Sequence, residues 1–171
     1  MARQAEKRFE WAVSILAPQP SDRILEIGCG RGGMTDAVAS QLESGEIIAI
    51  DRSPKMIDAA TERNAAYISA GTATLILEDF ADSALTEHTF DKIFVFNLNV
   101  FWMDPRDELS KVASLLSDGG RFYIFHIPPP GGDTAEYDTA FRTSLEKSGF
   151  EVLQPTFDGE LNAVCLIATP R

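Results

Sequence analysis

Residues Glu26 to Gly33 read EIGCGRGG and pose a choice between two ligand chemistries. Gly28, Gly30 and Gly33 satisfy the G-x-G-x-x-G spacing of a turn that cradles a dinucleotide pyrophosphate. Gly28, Gly30 and Gly32, with Glu26 two residues ahead of the first, satisfy an acidic-x-G-x-G-x-G turn that holds a ligand without phosphate. In both cases glycine permits positive φ and lets backbone come close to the ligand. Asp51 stands about twenty residues beyond the loop, where a carboxylate accepts hydrogen bonds from both hydroxyls of a ribose. A dinucleotide and any other adenosine ligand share that requirement. His126 carries a ring that titrates near neutrality and suits proton transfer. His88 lies in a polar loop and reads as solvated.

These residues must be positioned by the elements around them. Short apolar runs alternate with helix-period segments, the mark of a parallel α/β sheet. RILEI (Arg23–Ile27), EIIAID ending at Asp51, TLILEDF, KIFVFN and RFYIFH read as five strands. The helix after the glycine loop places Met34, Ala37, Val38 and Leu42 on one face. SPKMIDAATERN starts a helix with Ser53 as N-cap and Pro54 in the first helical position. DPRDELSKVASLLSDGG reads as a helix capped by Asp104, with Pro105 in its first turn and Gly119 as its stop. A last helix runs from PPPGG to Ser148.

FEVLQPTF and NAVCLIAT are both strand-like, with only DGEL between them. A parallel crossover needs about a dozen residues or more, so these two must form an antiparallel hairpin. Pro155 implies an edge position or a bulge in the first of them. The N-terminal EKRFEWAVSILA is amphipathic, with Phe9, Ala12, Val13 and Leu16 on one stripe. Phe9 or Trp11 can close the site or simply pack on the sheet.

The 171 residues suit one domain, 1–171, with residues 1–20 as an N-terminal helix on the ligand side. A formal charge of −11 repels phosphate backbones and anionic membranes, which disfavours a nucleic-acid partner. MARQAEKRFEW lacks a signal-peptide core and no apolar run reaches membrane-spanning length, so the expectation is a soluble, cytoplasmic protein. Cys29 and Cys165 lie too far apart in sequence and context to read as a disulfide framework.

Taken in order, RILEIGCGRGG, IIAIDRSPKMI, LEDF, FDKIFVFN and the closing hairpin resemble the class I S-adenosylmethionine-dependent methyltransferases, over nearly the whole chain. The resemblance implies a Rossmann-like three-layer αβα sandwich whose seven-stranded, mostly parallel sheet carries an antiparallel last strand. It implies S-adenosyl-L-methionine as cofactor, held along Glu26, Gly28, Cys29, Gly30, Asp51, Arg52, Met56, Asp79, Phe80 and Asn97. Glu26 then organises the loop around the methionyl ammonium and Asp51 takes the ribose hydroxyls. Met56 lies against the adenine face or in the core. Asp79 receives the exocyclic amine, and Phe80 packs on the ring.

Methyl transfer from a sulfonium needs mainly near-attack positioning and exclusion of water, so an obvious triad or metal cluster is not required. The acceptor is expected over the ends of strands 4 and 5, near Asn97, Asn99, Phe101 and Trp102, with Asn97 and His126 as catalytic candidates. Without an Asn/Asp-Pro-Pro-aromatic tetrapeptide there, DNA is disfavoured and a small molecule favoured, bound alone or with a second subunit in a homodimer. Two rivals stay open: an NAD(P)-dependent oxidoreductase, and a regulatory module that binds the cofactor without turnover.

Overall fold

A computed structural model describes residues 2–98, 105–153 and 155–171, with side chains from Glu6 onward. The expectations for Asn99, Phe101, Trp102 and the Asp104 cap lie outside the described residues. Five strands, β1 (Arg23–Ile27), β2 (Glu46–Asp51), β3 (Ala73–Leu77), β4 (Phe90–Phe96) and β5 (Leu116–His126), run parallel. After them come β6 (Phe150–Val152), β7 (Thr156–Asp158) and β8 (Ala163–Pro170). The sheet order is β3-β2-β1-β4-β5-β8-β6, with β7 also on β8. Strand β8 is antiparallel to β6 and β7, as the four-residue DGEL spacing requires, and also to β5.

The expected sixth strand is two short pieces on one edge. Val152 pairs with Ala168 and Thr156 with Cys165, so four residue steps face three. One extra residue is a bulge, and Pro155, which has no N–H to give the ladder, sits inside it. Seven strands become eight by that break alone.

Helices α1 (Ala2–Leu16), α2 (Gly33–Ala39), α3 (Pro54–Arg63), α4 (Ala65–Ala70), α5 (Arg106–Leu115) and α6 (Thr134–Lys147) cover both faces. The alternation along β5 shows how. Phe122 and Ile124 join Leu109, Val112, Phe141 and Leu145 under α5 and α6. Tyr123 and Phe125 join Ala12, Leu16, Met34 and Val38 under α1 and α2. Both strand faces are buried, as near-continuous apolar runs require. The Lys7 ammonium also pairs with Glu160 at 2.6 Å, tying α1 to the β7–β8 turn.

Two helix boundaries differ from the periodicity. Helix α5 stops at Leu115, and Leu116 already pairs with Phe90 of β4 across an irregular register. Gly119, at φ 78°, serves that irregular strand entry and not a helix stop. Helix α3 matches SPKMIDAATERN, with Asn64 as its C-cap, and the added boundary is that of α4, which the sequence reading did not include.

Candidate functional site

The order reversal falls between β1 and β4, and the crevice beyond their C-terminal ends is where open parallel sheets take ligands. Gly28 leaves β1 and Asn97 leaves β4 at that crevice. Gly28, Gly30 and Gly32 have φ of 75°, 54° and 70°, whereas Gly33 is an ordinary first residue of α2. The three left-handed bends therefore belong to the acidic-x-G-x-G-x-G reading. Gly33 is small for another reason: a Cβ there would lie 2.6 Å from Cε2 of Phe9 on α1.

Several bonds from neighbouring elements hold the loop. The Gly28 and Cys29 N–H groups donate to the Ile50 carbonyl at 2.8 and 3.1 Å. Asp51, closing β2, accepts from the Gly30 N–H on Oδ2 and the Ser53 N–H on Oδ1, both at 2.9 Å. Ser53 occupies the N-cap position of α3, but its hydroxyl makes no cap bond; the carboxylate of Asp51 captures the backbone instead. Cys29 points its thiol into a small core with Ala49 and Ala60, where burial pushes the thiol's pKa up. Its contribution to the loop is its backbone.

Two cavities meet at this loop. One, of about 550 Å³, is lined by Asp51, Arg52, Asp79, Phe80 and Glu108 among others. The second, of about 760 Å³, is lined by Glu26, Gly30, Arg31, Phe9, Arg8 and Phe96 among others. Gly28 and Asn97 line both. Each volume falls in the ~300–1,000 Å³ range of small-molecule sites. A Cβ on Gly30 would meet no protein atom within 4 Å, so its open side faces the second cavity.

In the first cavity Asp79 accepts from the Ala81 N–H at 3.1 Å and faces Arg52 across 3.7 Å. Phe80 is buried beside them. In the second, Glu26 is 2% exposed and accepts a 2.6 Å hydrogen bond from the Thr35 hydroxyl of α2. Burial pushes its carboxyl up to about 8, against the relief that the Thr35 bond supplies; the Asp51 charge adds a smaller push in the same direction.

A profile of the family described as Methyltransferase domain matches residues 24–120, more than half of the chain. The chain belongs to that methyltransferase family. It is 31% identical over 131 residues to a demethylmenaquinone methyltransferase of Symbiobacterium thermophilum, covering 75% of this chain and 52% of that protein. Nocamycin O-methyltransferase of Saccharothrix syringae is 29% identical over 120 residues, 69% of this chain and 42% of that protein. The solved structure of the glycopeptide N-methyltransferase MtfA complexed with sinefungin superposes at a TM-score of 0.75 and 19% identity, covering 98% of this chain and 94% of that one. The methyltransferase fold is thus shared almost end to end. The chain spans about half the length of the curated relatives it matches first.

Of the site residues expected from the sequence of this family member, the two cavities gather Glu26, Gly28, Cys29, Gly30, Asp51, Arg52, Asp79, Phe80 and Asn97. Met56 lines neither of these; it borders a third cavity, of about 400 Å³, with Arg31, Lys55 and Glu62. His126 lines neither cavity. Its ring lies tilted 4.0 Å from that of Tyr137 and edge-on 5.5 Å from that of Phe141, both of α6, and burial brings its pKa down to about 4. The cause is strand parity: His126 follows Ile124 onto the α5–α6 face. His88 is half-buried and stacks on Phe90 at 6.0 Å, so it is not freely solvated. Phe9 lines the larger cavity, while Trp11 packs edge-on against Phe125.

Asn97 is left-handed at φ 54°, a conformation asparagine tolerates better than most residues. Its N–H donates to Phe125 O and its Oδ1 accepts from the Ile127 N–H at 2.7 Å, stapling the exits of β4 and β5 together.

Three supporting residues carry no sequence signal because their partners lie far along the chain. Thr35 holds Glu26. Asn64, fully buried between α3 and α4, donates Nδ2 to the Gly32 carbonyl at 3.1 Å and to Ala60 O at 2.9 Å. Lys111 of α5 donates to the carbonyls of Phe80 and Ser83 at 2.6 and 2.7 Å, 5.0 Å from the centre of the Phe80 ring. Lys111→Met removes those donors, and the loop 79–83 is expected to loosen. Amide hydrogen exchange should quicken about tenfold across 79–83 with little change at the glycine loop.

The Glu26 shift gives a pH prediction whose sign is fixed. Between its ordinary value of 4.5 and about 8 the folded protein holds the proton and the unfolded chain does not. Bound protons are then fewer in the unfolded state, so this group's contribution to stability falls as pH rises through that window. Urea unfolding at pH 5 and pH 8 should show that loss in the wild type and a smaller one in Glu26→Gln.

Proposed function

We propose that this chain is an S-adenosylmethionine-dependent methyltransferase acting on a small-molecule acceptor. One observation carries the reading: two cavities that share Gly28 and Asn97 in their walls, one lined by the strand-end acids Asp51 and Asp79 and one by the buried carboxyl of Glu26. That division suits a nucleoside linked to a zwitterionic amino acid. The smaller cavity would take adenosine, with Asp51 toward the ribose and Asp79 and Phe80 toward the base. The larger would take the amino acid, with Glu26 on the ammonium side. Open space at Gly30 and the left-handed bend at Gly32, which only the acidic-x-G-x-G-x-G pattern calls for, support this ligand over a pyrophosphate. The antiparallel β8 supports it too, and so do the methyltransferase names of the relatives.

Bound there, S-adenosylmethionine supplies a methyl group already activated by its sulfonium. What remains for the protein is orientation and dryness. Asn97, fixed by its staple to β5 at the junction of the cavities, would orient the acceptor, with Asn99, Phe101 and Trp102 as further acceptor contacts. His126 stays a neutral imidazole at physiological pH, and we assign no step to it.

The test is production of S-adenosylhomocysteine from S-adenosylmethionine against a panel of phenols, carboxylic acids, amines and thiols. Turnover on one acceptor class, reduced in Asn97→Ala, is the expected result. Tight binding of S-adenosylhomocysteine with turnover on none would replace the enzyme by a binding module.

A further inference from the structure

Arg8 of α1 is a guanidinium held in place with no anion to meet it among the described residues. Its carbon lies 4.7 Å from the Phe9 ring centre and 5.8 Å from that of Phe96, so two aromatic faces set its position. Its Nε is buried and lacks a hydrogen-bond acceptor among the described residues. It lines the larger cavity together with Glu26, and no carboxylate among the described residues lies within ion-pairing distance of it.

The acids lining the same cavity have other duties. Glu26 accepts from Thr35, and Asp36 pairs with Arg63 at 3.8 Å. Glu6 and Glu10 are two positions either side of Arg8 on the helix, a spacing that turns side chains away from one another. A buried N–H without a partner is costly, and the planar fork of arginine matches a carboxylate. Glu26 supplies the only buried carboxyl group of the cavity among the described residues, and Arg8 the only guanidinium there with a buried, unpartnered N–H; Arg31, also without an ion pair, is exposed to solvent. A free amino acid end presents the opposite pair.

We propose that Arg8 is the residue that receives the α-carboxylate of the bound cofactor, making α1 part of the binding site as well as a cover over it. The proposal rests on the S-adenosylmethionine reading of the cavities. It also predicts a preference: the site distinguishes a cofactor bearing this carboxylate from one without it.

The experiment pairs a change in the protein with a change in the ligand. Calorimetry would compare S-adenosylmethionine, decarboxylated S-adenosylmethionine and 5′-methylthioadenosine on wild type, Arg8→Leu and Arg8→Lys. Wild type should bind S-adenosylmethionine about tenfold to a hundredfold more tightly than the decarboxylated form. Arg8→Leu should erase that ratio, with 5′-methylthioadenosine binding unchanged, and Arg8→Lys should restore part of it.

An undiminished ratio in Arg8→Leu would overturn the proposal. Equal loss for all three ligands would overturn it too, reducing Arg8 to a packing role in α1, while leaving the cofactor reading intact. Failure of the wild type to bind any of the three would remove the cofactor reading and this proposal with it. The wild-type ratio needs no variant to fold.

Discussion

Gly30→Val is expected to leave a folded protein that no longer binds S-adenosylhomocysteine. The added atoms meet no protein within 4 Å of Cβ, so nothing inside the fold resists them. They enter the larger cavity beside Glu26, where the proposed ligand needs room. The backbone, at φ 54°, is strained by any side chain, at a cost of ~1–3 kcal/mol. For a chain of this size that lowers the melting temperature by a few degrees, roughly 2–4 °C per kcal/mol. Thermal unfolding should therefore show a modestly lower transition that S-adenosylhomocysteine fails to raise. A ligand-induced shift equal to that of the wild type would place the ligand elsewhere.

Asp51→Ala should have the second largest effect. The carboxylate does two things at once: it holds the Gly30 and Ser53 amides and it faces the smaller cavity. Removing it costs the proposed ribose contacts and frees the turn that shapes both cavities. Hydrogen bonds to a charged group are worth about 1.5–3 kcal/mol each, so affinity should fall on the order of a hundredfold or more. Asp51→Asn keeps one acceptor and the side-chain volume, and should fall between the two. Calorimetric titration with S-adenosylhomocysteine ranks the three proteins, and equal affinities for wild type and Asp51→Ala would remove Asp51 from the site.

Much of this was legible before the fold was seen, for reasons of range. Strand runs, the Ser53–Pro54 start and the four-residue spacing of the final hairpin are local, and local rules placed them. The glycine loop was legible only as a pair of options. Its resolution came from backbone angles, because Gly33 proved to be kept small by Phe9 of a distant helix. Local rules failed where pairing overrode propensity. The helix pattern through Ser117 and Gly119 lost to pairing with β4, and the sixth strand broke at Pro155 into two pieces.

The site shows the same division. Residues at strand ends fell where the sheet order puts them, since parallel strands bring their C-terminal ends to one edge. Met56 did not, because a helical residue needs its rotation as well as its position. His126 did not, because one residue of strand parity decides between the cavity and α6. Thr35, Asn64, Lys111 and Arg8 each reach a partner between 9 and 88 residues away, at Glu26, Gly32, Phe80 and Phe96, and no spacing rule announces them.

The most direct test of the account is a crystal structure of this chain with S-adenosylhomocysteine. The account predicts adenosine between Asp51 and Phe80, and the homocysteinyl group across Gly28 beside Glu26 and Arg8. A dinucleotide that binds in its place with diphosphate on Gly28–Gly33, or S-adenosylhomocysteine seated away from both cavities, would contradict it.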